Sequence, residues 1–129
     1  MPEMLIIDTS VLIDHRRNHA DAVPFVLGLL NKHVASIHPV SAAEMLDGAL
    51  NRADMRRTIE FLGAFRRLSV KSADFEVCLA LMAQVRLAHG IGWADCLIAA
   101  TCVRLQLPLV TMNDKHFKAI RGLRVVRPY

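Results

Sequence analysis

The chain has few cysteines and no long apolar run. Its three cysteines, Cys78, Cys96 and Cys102, form no C-x-x-C pair, which argues against a disulfide framework and against a zinc site. No apolar stretch approaches the roughly 18–20 residues that span a bilayer. The N-terminus also lacks the basic segment and apolar core of a signal peptide. We therefore expect a reduced, cytoplasmic protein with no membrane partner.

Repeats, low-complexity tracts and linkers are also missing, so we expect one domain over residues 1–129. The hydrophobic fraction of 53% and the charged fraction of 22% are typical of a folded globular protein. Acids become scarce towards the C-terminus: after Asp95 there is one acid, Asp114, against six Lys and Arg. With a net charge of +4, this distribution favours phosphate groups or an acidic protein over a neutral small molecule as partner.

Predicted strands alternate with predicted helices along the sequence. Short apolar runs predict strands over residues 4–8, 34–38, 107–111 and 123–126. Apolar periodicity and helix-start residues predict helices over residues 20–32, 41–50, 53–68, 72–89 and 94–106. This alternation predicts an α/β fold with a mainly parallel sheet. The functional crevice of such a sheet lies beyond the carboxyl ends of its strands.

The segment MLIIDTSVLID, residues 4–14, places a carboxylate directly after the first predicted strand. An Asp at a strand end commonly hydrogen-bonds its own turn, and this is the structural interpretation of Asp8. In the functional interpretation Asp8 is a ligand, and neighbouring hydroxyl groups orient its carboxylate. Thr9 and Ser10 supply two such hydroxyls. They favour the functional interpretation.

Three further acids each have a structural and a functional interpretation. Glu44 completes a capping box with Ser41, although a first-turn Glu also lies at the entrance of the crevice. Asp95 begins a helix and can complement its dipole. However, the helix that follows is apolar almost all round, and a carboxylate at a crevice floor is costly without a cation or hydrogen-bond donors. Asp114 follows the third predicted strand and fits an Asn–Asp turn.

Taken together, the four carboxylates predict a divalent-metal site at one edge of the sheet. Clustered carboxylates repel one another unless a cation neutralises them. A site that offers only oxygen ligands suits Mg²⁺ or Mn²⁺, which keep several waters and take few protein ligands. Such an ion lowers the pKa of a water molecule and stabilises the charge that develops on a phosphate. The predicted chemistry is phosphodiester hydrolysis.

The same residues resemble a known family. Four segments carry the resemblance: IIDTSVLID at 6–14, VSAAEMLDG at 40–48, WADCLIAATCVRLQLPLVT at 93–111 and NDKHF at 113–117. They are similar to motifs of PIN-domain ribonucleases, most closely the VapC-type toxins of toxin–antitoxin pairs, over essentially the whole chain. The resemblance implies a PIN-like three-layer α/β/α fold and a homodimer that cuts RNA, tRNA or rRNA, with Mg²⁺ or Mn²⁺. It also implies a VapB-like antitoxin as partner.

The resemblance assigns roles by motif. It implies that Asp8, Glu44 and Asp95 are catalytic, metal-binding acids. For the fourth position the sequence offers both Asn113 and Asp114, and we predict Asp114 because it carries charge. The expected supporting and contacting residues are Thr9, Ser10, Thr111 and Asn113 as polar support, and Lys115, Lys118 and Arg121 as contacts to RNA or antitoxin.

Other functions remain open at this point. A metal-independent ribonuclease would use His15 or His116 as acid and base. A PIN-like module without catalysis would bind RNA or protein only. A phosphatase of the haloacid dehalogenase type also begins with a strand that ends in Asp. Such a phosphatase normally has a second Asp two residues later, where this chain has Ser10.

Overall fold

A computed structural model describes residues 3–129 of the chain. Five short strands are present in this part: β1 Leu5–Ile7, β2 Ala35–Ile37, β3 Arg66–Arg67, β4 Leu109–Val110 and β5 Val125–Val126. Seven helices accompany them: α1 Thr9–Arg16, α2 Ala22–Asn31, α3 Pro39–Asp47, α4 Arg52–Gly63, α5 Ser72–His89, α6 Trp93–Leu105 and α7 Asp114–Phe117. Within the same residues, no helix combines the length and the apolar character needed to cross a bilayer.

The five strands form one parallel sheet in the order β3-β2-β1-β4-β5. The central strand is β1, in which Leu5 pairs with Ala35 of β2 and Ile6 pairs with Leu109 of β4. The chain builds β2 and β3 on one side of β1 and then returns to build β4 and β5 on the other. The direction of winding therefore reverses between β1 and β4, and a crevice forms at the carboxyl ends of these strands.

Both faces of the sheet are covered by helices. Successive strand residues point to opposite faces, so Ile7 joins a core formed with α1 to α4, and Ile6 joins a second core formed with α5, α6 and α7. Ile6 and Ile7 are both fully buried. Burial on both faces explains why β1 is a continuous apolar run rather than an alternating one. The predicted three-layer α/β/α fold with a parallel sheet is confirmed.

Several predicted boundaries are wrong. Helix α1 was not predicted, because its β-branched and polar residues have little helical periodicity and its first turn follows directly on β1. Helix α7 is a single turn and was not predicted either. The helix predicted over 53–68 ends at Gly63, and Arg66 pairs with Ser36 as part of the edge strand β3. The predicted end of α5 is confirmed: Gly90 follows it with φ +69°, a conformation that glycine adopts without strain.

The start of α3 differs from the prediction in a way that affects Glu44. The N-cap is His38, whose Nδ1 accepts a hydrogen bond from the backbone N–H of Val40 at 3.0 Å. Ser41 lies inside the first turn, and its buried Oγ has no hydrogen-bond partner among the described residues. The capping-box interpretation of Glu44 is therefore wrong, and its carboxylate is available for another role.

His38 also connects the two layers. Because its Nδ1 accepts a hydrogen bond, the ring proton lies on Nε2, which donates to Thr101 Oγ1 of α6 at 3.0 Å. Thr101 in turn donates to Asp74 Oδ2 of α5 at 3.1 Å, and Arg104 donates to the same carboxylate. This buried network fixes the start of α3 against α5 and α6.

His38 should make the protein sensitive to mild acid. Burial lowers its pKa to about 4. In the unfolded chain the pKa of His38 keeps its ordinary value of about 6.5, so below that pH the unfolded state binds a proton that the folded state does not. The free energy of unfolding therefore keeps its full value above about pH 6.5 and falls as the pH drops towards 4. We expect this group to remove about 2–3 kcal/mol of unfolding free energy over that interval. Urea unfolding at a series of pH values measures the loss.

The matched comparison is between two histidines. His38→Gln removes the titrating ring but keeps a polar side chain, and it should flatten the pH dependence whatever its effect on absolute stability. His89→Gln, at the exposed end of α5, should leave the dependence unchanged. An equal fall in stability in wild type and His38→Gln would show that His38 is not the responsible group.

Candidate active site

The carboxylate of Asp8 lies at the carboxyl end of the central strand and is almost completely buried, with 3% exposure. Asp8 occupies the N-cap position of α1, but its side chain does not cap the helix. Instead, Oδ2 accepts hydrogen bonds from Thr111 Oγ1 at 2.7 Å and from Ser10 Oγ at 2.9 Å. The local-turn interpretation of Asp8 therefore does not describe its contacts, and the two hydroxyls orient the carboxylate.

The two hydroxyls are themselves fixed by the neighbouring strand end. Ser10 Oγ accepts the backbone N–H of Met112 at 3.1 Å, and Thr111 Oγ1 accepts the backbone N–H of Asn113 at 3.0 Å. Each hydroxyl thus accepts one backbone hydrogen bond and donates one hydrogen bond to Asp8. Asp8 Oδ1 accepts no hydrogen bond from residues 3–129, so it remains available to a cation or water.

Glu44 reaches the same region from α3. Its Oε1 accepts a hydrogen bond from Thr9 Oγ1 of α1 at 2.9 Å. Partial desolvation raises the pKa of Glu44, the Thr9 hydrogen bond opposes this, and the negative charges of Asp95 and Asp8 raise it further. Because these charges act on Glu44, the three carboxylates share one electrostatic environment.

Asp95 faces the cluster from the first turn of α6. Its carboxylate lies 3.2 Å from His116 Nε2 of α7, and its side chain is about one-third exposed, at 35%. Burial raises the pKa of Asp95, the charge of Asp8 adds to this, and His116 opposes it. The seven residues from Cys96 to Cys102 are buried, as their apolar pattern predicted, so α6 supports Asp95 from within the core.

Asp114 has different surroundings. It begins α7, and its Oδ1 accepts a hydrogen bond from Arg127 Nη1 at 2.9 Å. This contact lowers the pKa of Asp114, whereas the pKa values of Glu44 and Asp95 are raised. Arg127 Nη1 also donates to the carbonyl oxygen of Met112. The structure thus places Asp8, Glu44 and Asp95 within range of one another's charge, and it gives Asp114 a cationic partner of its own.

The donor set fits a hard divalent cation. Within residues 3–129, no three His, Cys, Asp or Glu side chains lie close enough together to form a ready-made metal cage. Mg²⁺ does not need such a cage, since it keeps several waters and is bound by one or two carboxylates. The charge of Asp8 raises the pKa values of both Glu44 and Asp95, so this group of acids would gain from a positive charge among them.

The remaining predicted residues surround this cluster. Asn113 is exposed and occupies the N-cap position of α7, but its side chain makes no cap hydrogen bond. Lys115 lies in α7, Lys118 is the residue after this helix, and Arg121 lies three residues further on. All three side chains are exposed. Their side chains form no ion pair with the described residues. Their assignment as contacts to RNA or antitoxin stays a prediction.

The sequence offers His15 or His116 as the acid and base of a metal-independent ribonuclease, and the structure gives the two rings different surroundings. His116 contacts Asp95, whereas the ring of His15 stacks on Phe61 of α4 with centroids 4.7 Å apart. The contact of Arg127 with Asp114 was not predicted. The basic C-terminal third was the only signal for it, and that signal does not single out one arginine.

This crevice has acids from the end of β1, from α3 and from α6, and hydroxyls from α1 and from the residue after β4. It belongs to a recognised class of domain. The PIN domain family matches residues 5–123, which is most of the chain. The chain therefore belongs to the PIN domain family, and the resemblance found in its motifs is confirmed.

The chain is also similar to individual proteins. The chain is 30% identical to Ribonuclease VapC10 of Mycobacterium tuberculosis over 122 residues, which cover 94% of this chain and 91% of the relative. A toxin–antitoxin complex from Klebsiella pneumoniae contains a similar fold, with TM-score 0.75, 26% identity and coverage of 97% and 98% of the two chains. A DNA-bound VapBC from Salmonella typhimurium shares the fold with TM-score 0.78 at 21% identity, over 97% of this chain and 98% of that one.

Proposed function

We propose that this chain is a Mg²⁺- or Mn²⁺-dependent endoribonuclease and the toxin of a VapBC-type toxin–antitoxin pair. The observation that carries the proposal is the carboxylate cluster at the β1–β4 crevice. Asp8 and Asp95 both raise the pKa of Glu44, and Asp8 raises that of Asp95. Membership of the PIN family and the similarity to Ribonuclease VapC10 support a ribonuclease in particular.

The chemistry assigns separate roles to the residues. Asp8, Glu44 and Asp95 would bind the cation directly or through water, with Asp114 as the proposed fourth acid at the rim. A bound dication supplies a water of lowered pKa and positive charge opposite the phosphate. Ser10 and Thr111 keep the Asp8 carboxylate in one orientation, and Thr9 does the same for Glu44. Lys115, Lys118 and Arg121 contact the RNA backbone or the antitoxin.

The proposed partners follow from the same assignment. A VapB-like antitoxin would inhibit the enzyme by covering this crevice. We also propose a homodimer, because α5 exposes Phe75 and Leu79 by 53% and 61% and Trp93 is 59% exposed. Cys78 Sγ lies 3.4 Å from the carbonyl oxygen of Trp93, so the stretch of α5 that carries Phe75 and Leu79 lies beside the start of α6. Exposed apolar patches of this kind commonly mark protein interfaces.

The test is RNA cleavage by the purified protein. Total tRNA and ribosomal RNA are incubated with Mg²⁺, with Mn²⁺ or with EDTA, and the ends of the products are mapped. We expect discrete cuts that require the metal and leave 5′-phosphate and 3′-hydroxyl ends. Such cuts would also identify the RNA target.

One observation favours a second candidate, the metal-independent ribonuclease. His116 Nε2 lies 3.2 Å from Asp95, a geometry in which a carboxylate orients a catalytic imidazole. This candidate predicts equal cleavage in EDTA and products with cyclic phosphates. Either result would contradict the metal-dependent mechanism, and His116→Ala would then be expected to abolish activity. Lack of cleavage of every RNA, with RNA binding retained, would favour the inactive module.

A further inference from the structure

A groove extends from the carboxylate cluster along α1, α3 and α4. One cavity of about 380 Å³ contains Glu44, Met45, Arg16 and Arg17 in its wall. A second, of about 390 Å³, shares Arg16 and Met45 with the first and continues to His15, Asp54, Arg57 and Phe61. Because two residues line both cavities, the cavities adjoin each other, and the first has a proposed catalytic acid in its wall. We call the second cavity the α1–α4 pocket.

The α1–α4 pocket has an aromatic wall. The rings of His15 and Phe61 are stacked, with an interplanar angle of 15° and centroids 4.7 Å apart. Phe61 is fixed from behind by Phe65, whose ring meets it edge-on at 5.1 Å. Both rings are partly exposed towards the pocket. Each ring covers one face of the other, so a planar ligand would stack on the outer face of the pair and extend the stack. Nucleobases are the planar groups of an RNA strand.

The pocket also offers one acceptor and several cations. Asp54 Oδ2 accepts hydrogen bonds from Arg16 and from the backbone N–H of Leu50. Asp54 Oδ1 has a looser neighbour, Arg57 Nη2 at 3.8 Å, and accepts no hydrogen bond within residues 3–129. The Arg57 side chain is 70% exposed, and Arg17, in the wall of the first cavity, is exposed as well. The rim therefore carries excess positive charge, and the interior offers a carboxylate oxygen to an N–H donor.

We propose that the α1–α4 pocket binds one nucleotide of the RNA substrate, outside the scissile bond. The base stacks on the His15–Phe61 pair and donates an exocyclic amino N–H to Asp54 Oδ1, as adenine, cytosine and guanine can. Uracil has only its N3–H to donate, and that group lies between two carbonyl oxygens that the carboxylate repels. Arg17 and Arg57 contact the adjoining phosphates. This assignment rests on the proposed ribonuclease function and gives it a determinant of sequence preference.

The charge pattern distinguishes RNA from a protein segment as the occupant. A protein inhibitor that neutralises the carboxylate cluster must bring cations, and cations would be repelled by Arg16, Arg17 and Arg57 in the walls of the two cavities. A phosphate backbone is attracted by the same arginines. Proteins recognise single-stranded RNA by base stacking and by hydrogen bonds to base edges. The aromatic pair and the carboxylate oxygen without a hydrogen-bond partner offer both features.

The experiment measures binding of a short RNA that spans the mapped cleavage site, in the Asp8→Asn background so that the RNA stays intact. His15→Ala removes half of the stacked wall and should weaken binding roughly 5- to 150-fold. His15→Phe keeps the stacking surface and should restore binding. Arg57→Gln should reduce the slope of log Kd against log salt by about one. Arg86→Gln, exposed on α5 of the opposite layer, is the control and should change neither quantity.

Cleavage kinetics in the otherwise wild-type chain give the second readout. His15→Ala should raise KM, or lower kcat/KM, for the target RNA more than for an RNA with uracil at the stacked position. Unchanged binding and kinetics in His15→Ala and Arg57→Gln, in a protein whose Asp8-dependent cleavage is intact, would overturn the nucleotide site and leave the proposed function standing. Selective loss of antitoxin binding with unchanged RNA binding would also overturn it. Loss of RNA binding in a chain that cleaves nothing would support the site and contradict the hydrolase.

Discussion

Asp8→Asn should reduce metal-dependent RNA cleavage by at least about a hundredfold, since loss of a partner outside the ligand shell already costs about 10- to 100-fold. The substitution keeps the shape of the side chain and one oxygen for Thr111 and Ser10, which donate to Oδ2 at 2.7 and 2.9 Å. What it removes is the negative charge. Gel-resolved cleavage of the target RNA at saturating metal measures the effect.

Metal binding gives a readout that is independent of catalysis. A cation that binds the folded chain alone stabilises it by about 2.7 kcal/mol at a hundredfold excess over its Kd. We expect Mg²⁺ or Mn²⁺ to raise the Tm of the wild type and to have little effect on Asp8→Asn. In EDTA, Asp8→Asn should be at least as stable as the wild type, because the charge of Asp8 no longer repels Glu44 and Asp95.

A second acid serves as the control. Asp47 lies at the exposed end of α3, three residues after Glu44, and Asp47→Asn should leave both cleavage and metal stabilisation unchanged. Cleavage by Asp8→Asn at the wild-type rate would contradict the carboxylate mechanism. Equal loss of activity in Asp47→Asn would mean that general negative charge, rather than the cluster, is responsible.

The parts of this fold that sequence predicts are those set by local patterning. The buried parallel sheet follows from β1, β2 and β4 being short apolar runs separated by helices. The position of the crevice follows from the parallel order, because residues after β1 and β4 must share an edge of the sheet. That rule alone places Asp8 beside Thr111 across 103 positions of sequence, and the 2.7 Å hydrogen bond between them agrees with it.

Contacts between long side chains could not be predicted in the same way. The ion pair of Arg127 with Asp114 depends on how β5 and the residues after it lie beside α7, and no local pattern encodes this. The contact of His116 with Asp95 likewise requires the packing of α7 against α6. For Glu44, the S-x-x-E pattern was misleading, because Pro39 starts the helix earlier and His38 caps it. The backbone geometry can therefore be predicted from sequence patterns, whereas the pairing of side chains between layers cannot.

The buried network behind the crevice leads to the largest expected loss of stability, in Asp74→Ala. Asp74 is 1% exposed and accepts hydrogen bonds from Arg104 Nε at 2.7 Å and from Thr101 at 3.1 Å. Removing one partner of a buried ion pair costs about 3–5 kcal/mol. We expect about 3 kcal/mol, because the Arg104 side chain is 27% exposed and can turn partly to water. Thermal unfolding should show a fall in Tm of roughly 10–15 °C.

The pH dependence of this effect has a definite sign. The hydrogen bonds from Arg104 hold the pKa of Asp74 below its ordinary value. A depressed carboxyl pKa stabilises the fold above the unfolded value of about 3.9, and the contribution disappears as the pH falls through the folded value. The gap in stability between wild type and Asp74→Ala should therefore narrow below about pH 4. Glu76→Gln, exposed two residues later on α5, should show no such gap. A gap that persists unchanged in acid would mean that Asp74 stabilises the fold through its packing rather than through its charge.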